Sequence, residues 1–155
     1  MNGVAATGGF ELALACDVLL ASEGARFADT HSRVGVMPGC GLSQRLPRII
    51  GASRAKEMSF SGRFIDAKTA AAWGIVSRTV PAGALIEEAM ALGEENSVAD
   101  PALVRGLKRV IDDGLDLGFS DALSLERERA SAWNSEQAPG ALEARRSAVI
   151  AAGRS

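Results

Sequence analysis

Cysteine is scarce in this 155-residue chain, which holds only Cys16 and Cys40. Two are too few for a disulfide framework or a structural zinc site. Histidine is scarcer still, His31 being the single one. An excess of one charge is also missing. With 17 Lys and Arg against 19 Asp and Glu, the formal net charge is −2, which offers no electrostatic footprint for nucleic acid or an anionic membrane. No apolar run approaches the roughly 20 residues that a membrane-spanning helix needs. The opening Met1-Asn2-Gly3 lacks the basic flank and apolar stretch of a secretory signal. Internal repeats and low-complexity linkers are absent as well. These absences point to a cytoplasmic chain with neither nucleic acid nor membrane as a partner.

What is present is an ordinary globular composition, 47% hydrophobic and 23% charged. A chain of this length buries roughly 70% of the surface its unfolded form exposes. The pattern changes character along the chain. Up to about Val80, short apolar runs alternate with glycine turns. Val18 to Ala21 and Ile75 to Val80 are short, bounded and aliphatic, which predicts strands. Between them, Leu42 to Ile50, Ala52 to Phe60 and Asp66 to Trp73 predict short helices, with Gly51, Gly62 and Gly74 at their C-terminal ends. Beyond Pro81 the periodicity is helical. Leu85, Ala89 and Leu92 share one face, and Leu103, Leu107, Val110 and Ile111 mark a second helix. A third is predicted from about Ser120 to Trp133 and a fourth from Pro139 to Ala152, with Asp100-Pro101 and Pro139 where caps and first turns belong. Trp73 and Trp133 read as core or interface residues, and the alternating charge of "LERERASAW" as a solvated or subunit-facing helix surface.

The stretch "VAATGGFELALACD", residues 4 to 17, sets one carboxylate, Glu11, in an otherwise apolar segment. Thr7-Gly8-Gly9 ahead of it places bare backbone at a helix start, where free N–H groups and the helix dipole favour negative charge. Two readings of Glu11 stand at this point. It is a polar residue in the first turn of a helix, or it is a functional carboxylate beside an anion-holding turn. The segment is not a dinucleotide fingerprint, because the third glycine and a preceding strand of useful length are missing.

Three motifs in order separate these readings. "MNGVAATGGFELALACD", "FADTHSRVGVMPGCGLSQRLPRIIG" and "SGRFIDAKTAAAWGIVSRTVP" resemble successive signatures of the crotonase superfamily, the enoyl-CoA hydratases and isomerases. "GALEARRSA" resembles that family's last helix more weakly. The resemblance covers the chain but only the C-terminal half of the family's length. It implies an α/β fold: a partial crotonase-like spiral of strand–strand–helix units over residues 1–97, then a C-terminal helical oligomerisation region over 98–155.

The resemblance also implies a chemistry, the addition of water to a 2-enoyl-CoA thioester, with an acyl-CoA as substrate. CoA enters only as the carrier group, and no cofactor or metal is implied. Charge develops on the thioester oxygen, so two backbone N–H groups must face it. Gly8 matches the residue whose amide is one of them in the family. Glu11 matches the base that takes a proton from water, and the amide at Gly39 matches one that helps hold that water. The family's hydratases carry a second glutamate where this chain has His31. An imidazole can donate a proton near neutrality, so His31 is either the acid that protonates the α-carbon, on a loop facing Glu11 across a cleft, or a loop residue with satisfied hydrogen bonds. Asp29, His31 and Ser32 lie too close in sequence to be read as a hydrolase triad. Arg145 and Arg146 read as solvated helix charge or as a contact to a CoA phosphate across a subunit boundary. The family's trimers imply a homo-oligomer or association with longer relatives. Two alternatives stay beside the hydratase: a non-catalytic remnant that acts as a helical interaction module, and a double-bond isomerase.

Overall fold

Short apolar segments separated by tight turns make the first part of the chain a mixed α/β structure. The computed structural model describes residues 1–138 together with Gly140, Glu143, Arg145, Arg146, Val149, Ile150 and Gly153. It divides into two compact units, residues 1–96 and 97–155.

The first unit begins with strand β1, Val4–Ala6, which runs through Thr7 into helix α1, Gly8–Leu14. Strands β2, Leu20–Ser22, and β3, Arg26–Ala28, follow. The one-turn helix α2, His31–Val34, leads by a loop to α3, Leu42–Ile50, and α4, Ala52–Ser61. Strand β4 is Ile65–Asp66, α5 is Ala67–Ala72, β5 is Arg78–Val80 and α6 is Leu85–Ser97. In one sheet β3 is central. It runs parallel to β1, with Ala5 opposite Phe27, and antiparallel to β4, with Phe27 opposite Ile65. A parallel pair cannot be joined by a tight turn, and α1 lies within the crossover from β1 to β3. In the second sheet β2 runs parallel to β5, with Ala21 opposite Thr79.

The core sits between α1, the β3 sheet and the α3–α4 pair. Phe10 and Phe27 are completely buried, with ring centroids 5.7 Å apart and planes tilted by 53°. Leu42 and Leu46 of α3 and Met58 of α4 join the same cluster. Leu42, Leu46 and Ile50 recur every four residues on the buried face of α3, while Ser43, Gln44, Arg45 and Arg48 face outward. The buried alanines Ala5, Ala13, Ala21 and Ala25 allow the elements to approach closely. Gly62, at φ 58°, ends α4 in the left-handed region that glycine adopts without a Cβ penalty.

Several boundaries differ from the sequence-based expectation. The strand expected at Val18–Ala21 lies at Leu20–Ser22, and the one expected over Ile75–Val80 narrows to Arg78–Val80. Ile75 and Val76 are buried in the main cluster without belonging to the strand. Strands β3 and β4 were not expected. Each has two or three residues, too few for a period of two to register.

In the second unit, α7 is Pro101–Leu115 and α8 is Phe119–Ser135. Asp100 caps α7 by accepting from the amides of Ala102 at 2.8 Å and Leu103 at 3.4 Å. Arg129 of α8 reaches Asp113 of α7 at 2.6 Å. Trp133 and Leu107 line a hollow between the two helices. The helix expected over Pro139–Ala152 lies largely outside the described residues. Arg145 and Arg146 are exposed, directed to Gln137 and Glu143 respectively. Among the described residues no helix is long and apolar enough to cross a membrane.

Candidate active site

Three buried titratable side chains lie in a row in the first unit. Glu11, Asp29 and His31 are 4%, 2% and 6% exposed, and groups of this kind stay buried only when they are paired. Helix α1 supplies Glu11 from its first turn. Asp29 sits immediately beyond the end of β3, and His31 opens α2. The expectation of His31 on a loop is thus corrected. Thr30 precedes the helix, and Gly35, at φ 79°, closes it by returning its N–H to the His31 carbonyl at 2.9 Å.

The row has a direction. Oε1 of Glu11 accepts the Cys40 amide at 2.8 Å and the Leu42 amide at 3.4 Å. Its other oxygen, Oε2, faces Nε2 of His31 at 3.7 Å, a separation longer than a hydrogen bond. On the far side of the ring, Nδ1 of His31 lies 2.6 Å from Oδ1 of Asp29. The His31 backbone N–H donates to that same oxygen at 3.2 Å. Burial pushes the Asp29 carboxyl up, but hydrogen bonds from Ser59 and His31 and the charge of His31 outweigh it. The carboxyl is held below its ordinary value.

Neighbouring contacts hold these pieces in register. Ser32 donates to the Ser59 carbonyl at 2.6 Å, and Arg33 Nε to the Ser61 carbonyl at 2.7 Å, which fastens α2 to the end of α4. The hydroxyls of Thr7 and Thr30 meet at 2.5 Å. Thr7 itself has φ 51° and ψ −120°, a backbone conformation that L side chains rarely adopt. A cavity of about 420 Å³ opens beside the row. Asp29 and His31 line it together with Val36, Met37, Leu42 and Phe60, whereas Glu11 stands outside the lining.

Measured against the sequence-based expectations, Glu11 and His31 come together. Gly8 takes the first position of α1, where its N–H has no partner within the helix. Gly39 is exposed in the loop before α3, and it is the adjacent Cys40 amide that reaches Glu11. Asp29 meets the ring of His31 directly beyond β3, while Ser32 turns away to α4, so no hydrolase triad forms. Asp29 and the Cys40 amide are the contacts of His31 and Glu11 that the sequence reading missed. The acidic residue two positions before the single histidine was the available signal for the first. Among the described residues, no group of three His, Cys, Asp or Glu side chains is placed to hold a metal ion.

The mixed α/β architecture is that of the crotonase-like structures it superposes on. Residues 1–141 match the model of the family described as "Enoyl-CoA hydratase/isomerase", and the chain belongs to that family. The probable peroxisomal enoyl-CoA hydratase 1 of Arabidopsis thaliana is 47% identical over 135 residues, 87% of this chain and 51% of the relative. The crystal structure of an enoyl-CoA hydratase/isomerase from Cupriavidus metallidurans CH34 superposes with a TM-score of 0.85 at 36% identity, covering 94% of this chain and 55% of that one. The enoyl-CoA hydratase of Bacillus anthracis gives 0.81 at 38% identity, covering 83% and 50%. The chain spans about half the length of the curated relatives it matches.

Proposed function

We propose that this chain supplies the acid–base residues of an enoyl-CoA hydratase. In this reading Glu11 is the base and His31 the acid. The amides of Cys40 and Leu42 tether Oε1 of Glu11 and leave Oε2 to act. A water within reach of both Oε2 and His31 Nε2 attacks the β-carbon of a 2-enoyl-CoA, and Oε2 takes its proton. Negative charge moves onto the thioester oxygen, where the Gly8 amide donates a hydrogen bond. Nε2 then protonates the α-carbon. The proton held on Glu11 passes to Nε2 and restores the pair, so the sum of the steps is one water added across the double bond. Gly39, in the loop that reaches Glu11, remains the residue assigned to water placement. The reaction needs no cofactor beyond the CoA that carries the acyl group.

The observation that carries this reading is the 3.7 Å approach of Glu11 to His31, two buried groups brought in from separate elements. Because Glu11 stands outside the cavity lining, we assign the thioester-binding wall to the part of the relatives' length that this chain does not span. The test joins residues 1–155 to the N-terminal half of the Arabidopsis relative and follows hydration of crotonyl-CoA. Glu11→Gln and His31→Gln are each expected to lower kcat by about 10²- to 10⁴-fold. Undiminished hydration in Glu11→Gln would leave that residue as a helix-turn carboxylate and end the proposal.

The second unit, close to the 98–155 region expected to oligomerise, supports a further reading. Leu107, Ile111 and Leu115 are exposed along α7 at 54%, 61% and 74%, an apolar face that suits a neighbouring helix. We assign it to self-association of the trimer type, or to pairing with longer relatives, with residues 1–97 as a partial strand–strand–helix spiral. Sedimentation of the 155-residue chain should show an oligomer at micromolar concentration that Ile111→Glu dissociates, and a clean monomer would count against it. We retain the cytoplasm as the compartment because Cys16 and Cys40 are both free and exposed, a state that reducing conditions preserve.

A further inference from the structure

We propose that Asp29 is the positioning residue of His31: it accepts the Nδ1 proton, fixes the tautomer of the ring and leaves Nε2 as the nitrogen presented to Glu11. An ionised carboxylate is an acceptor only, so the proton in the 2.6 Å contact between Asp29 Oδ1 and His31 Nδ1 resides on nitrogen. The same oxygen also receives the His31 backbone N–H at 3.2 Å. Two bonds from one residue to one oxygen tie the ring to its own backbone through the aspartate and restrict its rotation. Both groups are almost wholly buried, where an orienting contact of this kind is screened least by solvent. The Ser59 and His31 hydrogen bonds that hold the Asp29 carboxyl below its ordinary value keep it in the ionised, accepting form.

The surroundings favour this assignment over a plain ion pair. Glu11 of α1 faces the ring from the Nε2 side at 3.7 Å, and Asp29 faces it from the Nδ1 side. Lys56 of α4 is the cationic residue lining the same cavity, and Arg33 of α2 is committed to the Ser61 carbonyl. An imidazole between two carboxylates has two possible orientations of its exchangeable proton. The short contact selects one of them. With Nδ1–H committed to Asp29, a proton can leave from Nε2 while its bonding electron pair stays on that nitrogen, and the ring returns to the same orientation when Nε2 is reprotonated. Had the proton settled on Nε2 with Nδ1 bare, Asp29 would face a lone pair across 2.6 Å.

The catalytic consequence rests on the acid role of His31 given above, but the tautomer does not, so the two can fail separately. His31 is the single histidine of the chain, and ¹⁵N-histidine labelling of the 155-residue protein therefore reports on this ring alone. The expected result is a hydrogen-bonded Nδ1 proton that persists as pH rises, with Nε2 the nitrogen that gives up its proton. Release from Nδ1 first would overturn the proposal. In Asp29→Ala, with the amide spectrum as the check on folding, the proton on Nδ1 should move upfield as its hydrogen bond is lost, and the Nδ1 nitrogen should move downfield as the ring samples both tautomers. An unchanged ring spectrum in a folded variant would also overturn it, and if that variant does not fold, the wild-type titration decides by itself. A joined enzyme that fails to hydrate crotonyl-CoA while Nδ1 keeps its proton would refute the hydratase reading and leave the Asp29 assignment standing.

Discussion

Thr7 and Thr30 meet hydroxyl to hydroxyl at 2.5 Å, which joins the turn ahead of Glu11 to the residue between Asp29 and His31. The contact also accompanies a backbone cost. Thr7 lies at φ 51° and ψ −120°, a region where a β-branched residue is strained by about 1–3 kcal/mol. Neighbouring backbone bonds help to hold it there, from Thr7 N–H to the Ala28 carbonyl at 3.2 Å and from Phe10 N–H to the Thr7 carbonyl at 3.0 Å.

A double-mutant cycle on this pair should therefore be non-additive. Thr30→Val is expected to destabilise the chain by about 1 kcal/mol, because it leaves the Thr7 hydroxyl without its partner. In a Thr7→Gly background the same substitution should cost almost nothing, and Thr7→Gly made on top of Thr30→Val should be stabilising through relief of strain. Urea unfolding of the four proteins reads the coupling directly. Additive effects would mean that the two hydroxyls do not support each other.

Asp29 gives a pH dependence with a defined sign. Its folded carboxyl titrates below the ordinary value of 3.8. A depressed carboxyl contributes stability that is complete above the unfolded value and is lost as pH falls through the folded one. The stability difference between wild type and Asp29→Asn should therefore shrink as pH falls below the region of pH 4. Urea midpoints measured across that range test this. A difference that grows on acidification would reverse the assigned direction.

Phe10 should dominate the core energetics. It is completely buried against Phe27, with ring centroids 5.7 Å apart, and Phe10→Ala is expected to cost about 3–5 kcal/mol. Phe60, at 75% exposure, provides the contrast: Phe60→Ser should change stability by no more than about 0.5 kcal/mol. Thermal unfolding separates the two. Because Phe10 immediately precedes Glu11, its loss should also weaken the protection of the Cys40 amide, which hydrogen exchange reads residue by residue.

Sequence alone determined the features that depend on neighbours along the chain. Leu42, Leu46 and Ile50 recur at a helical spacing and end at Gly51, and α3 occupies that segment. Asp100-Pro101 announces a capped helix start, and α7 begins there. Thr7-Gly8-Gly9 marks a tight turn into a helix, and the turn is present. Capping, side-chain periodicity and backbone restriction act over three or four residues, so their signals lie within a short window. Tertiary structure decided the rest. Val4–Ala6, Arg26–Ala28 and Ile65–Asp66 are strands because each finds partners distant in sequence, not because of any pattern within two or three residues. The buried row of Glu11, His31 and Asp29 was decided in the same way. Glu11 was legible as an anomalous carboxylate, but its tether is the backbone of Cys40 and Leu42, and a backbone amide carries no residue signature. The Asp29–His31 contact depends on how the chain passes from β3 into α2, and Ser32 and Arg33 fasten α2 to the end of α4.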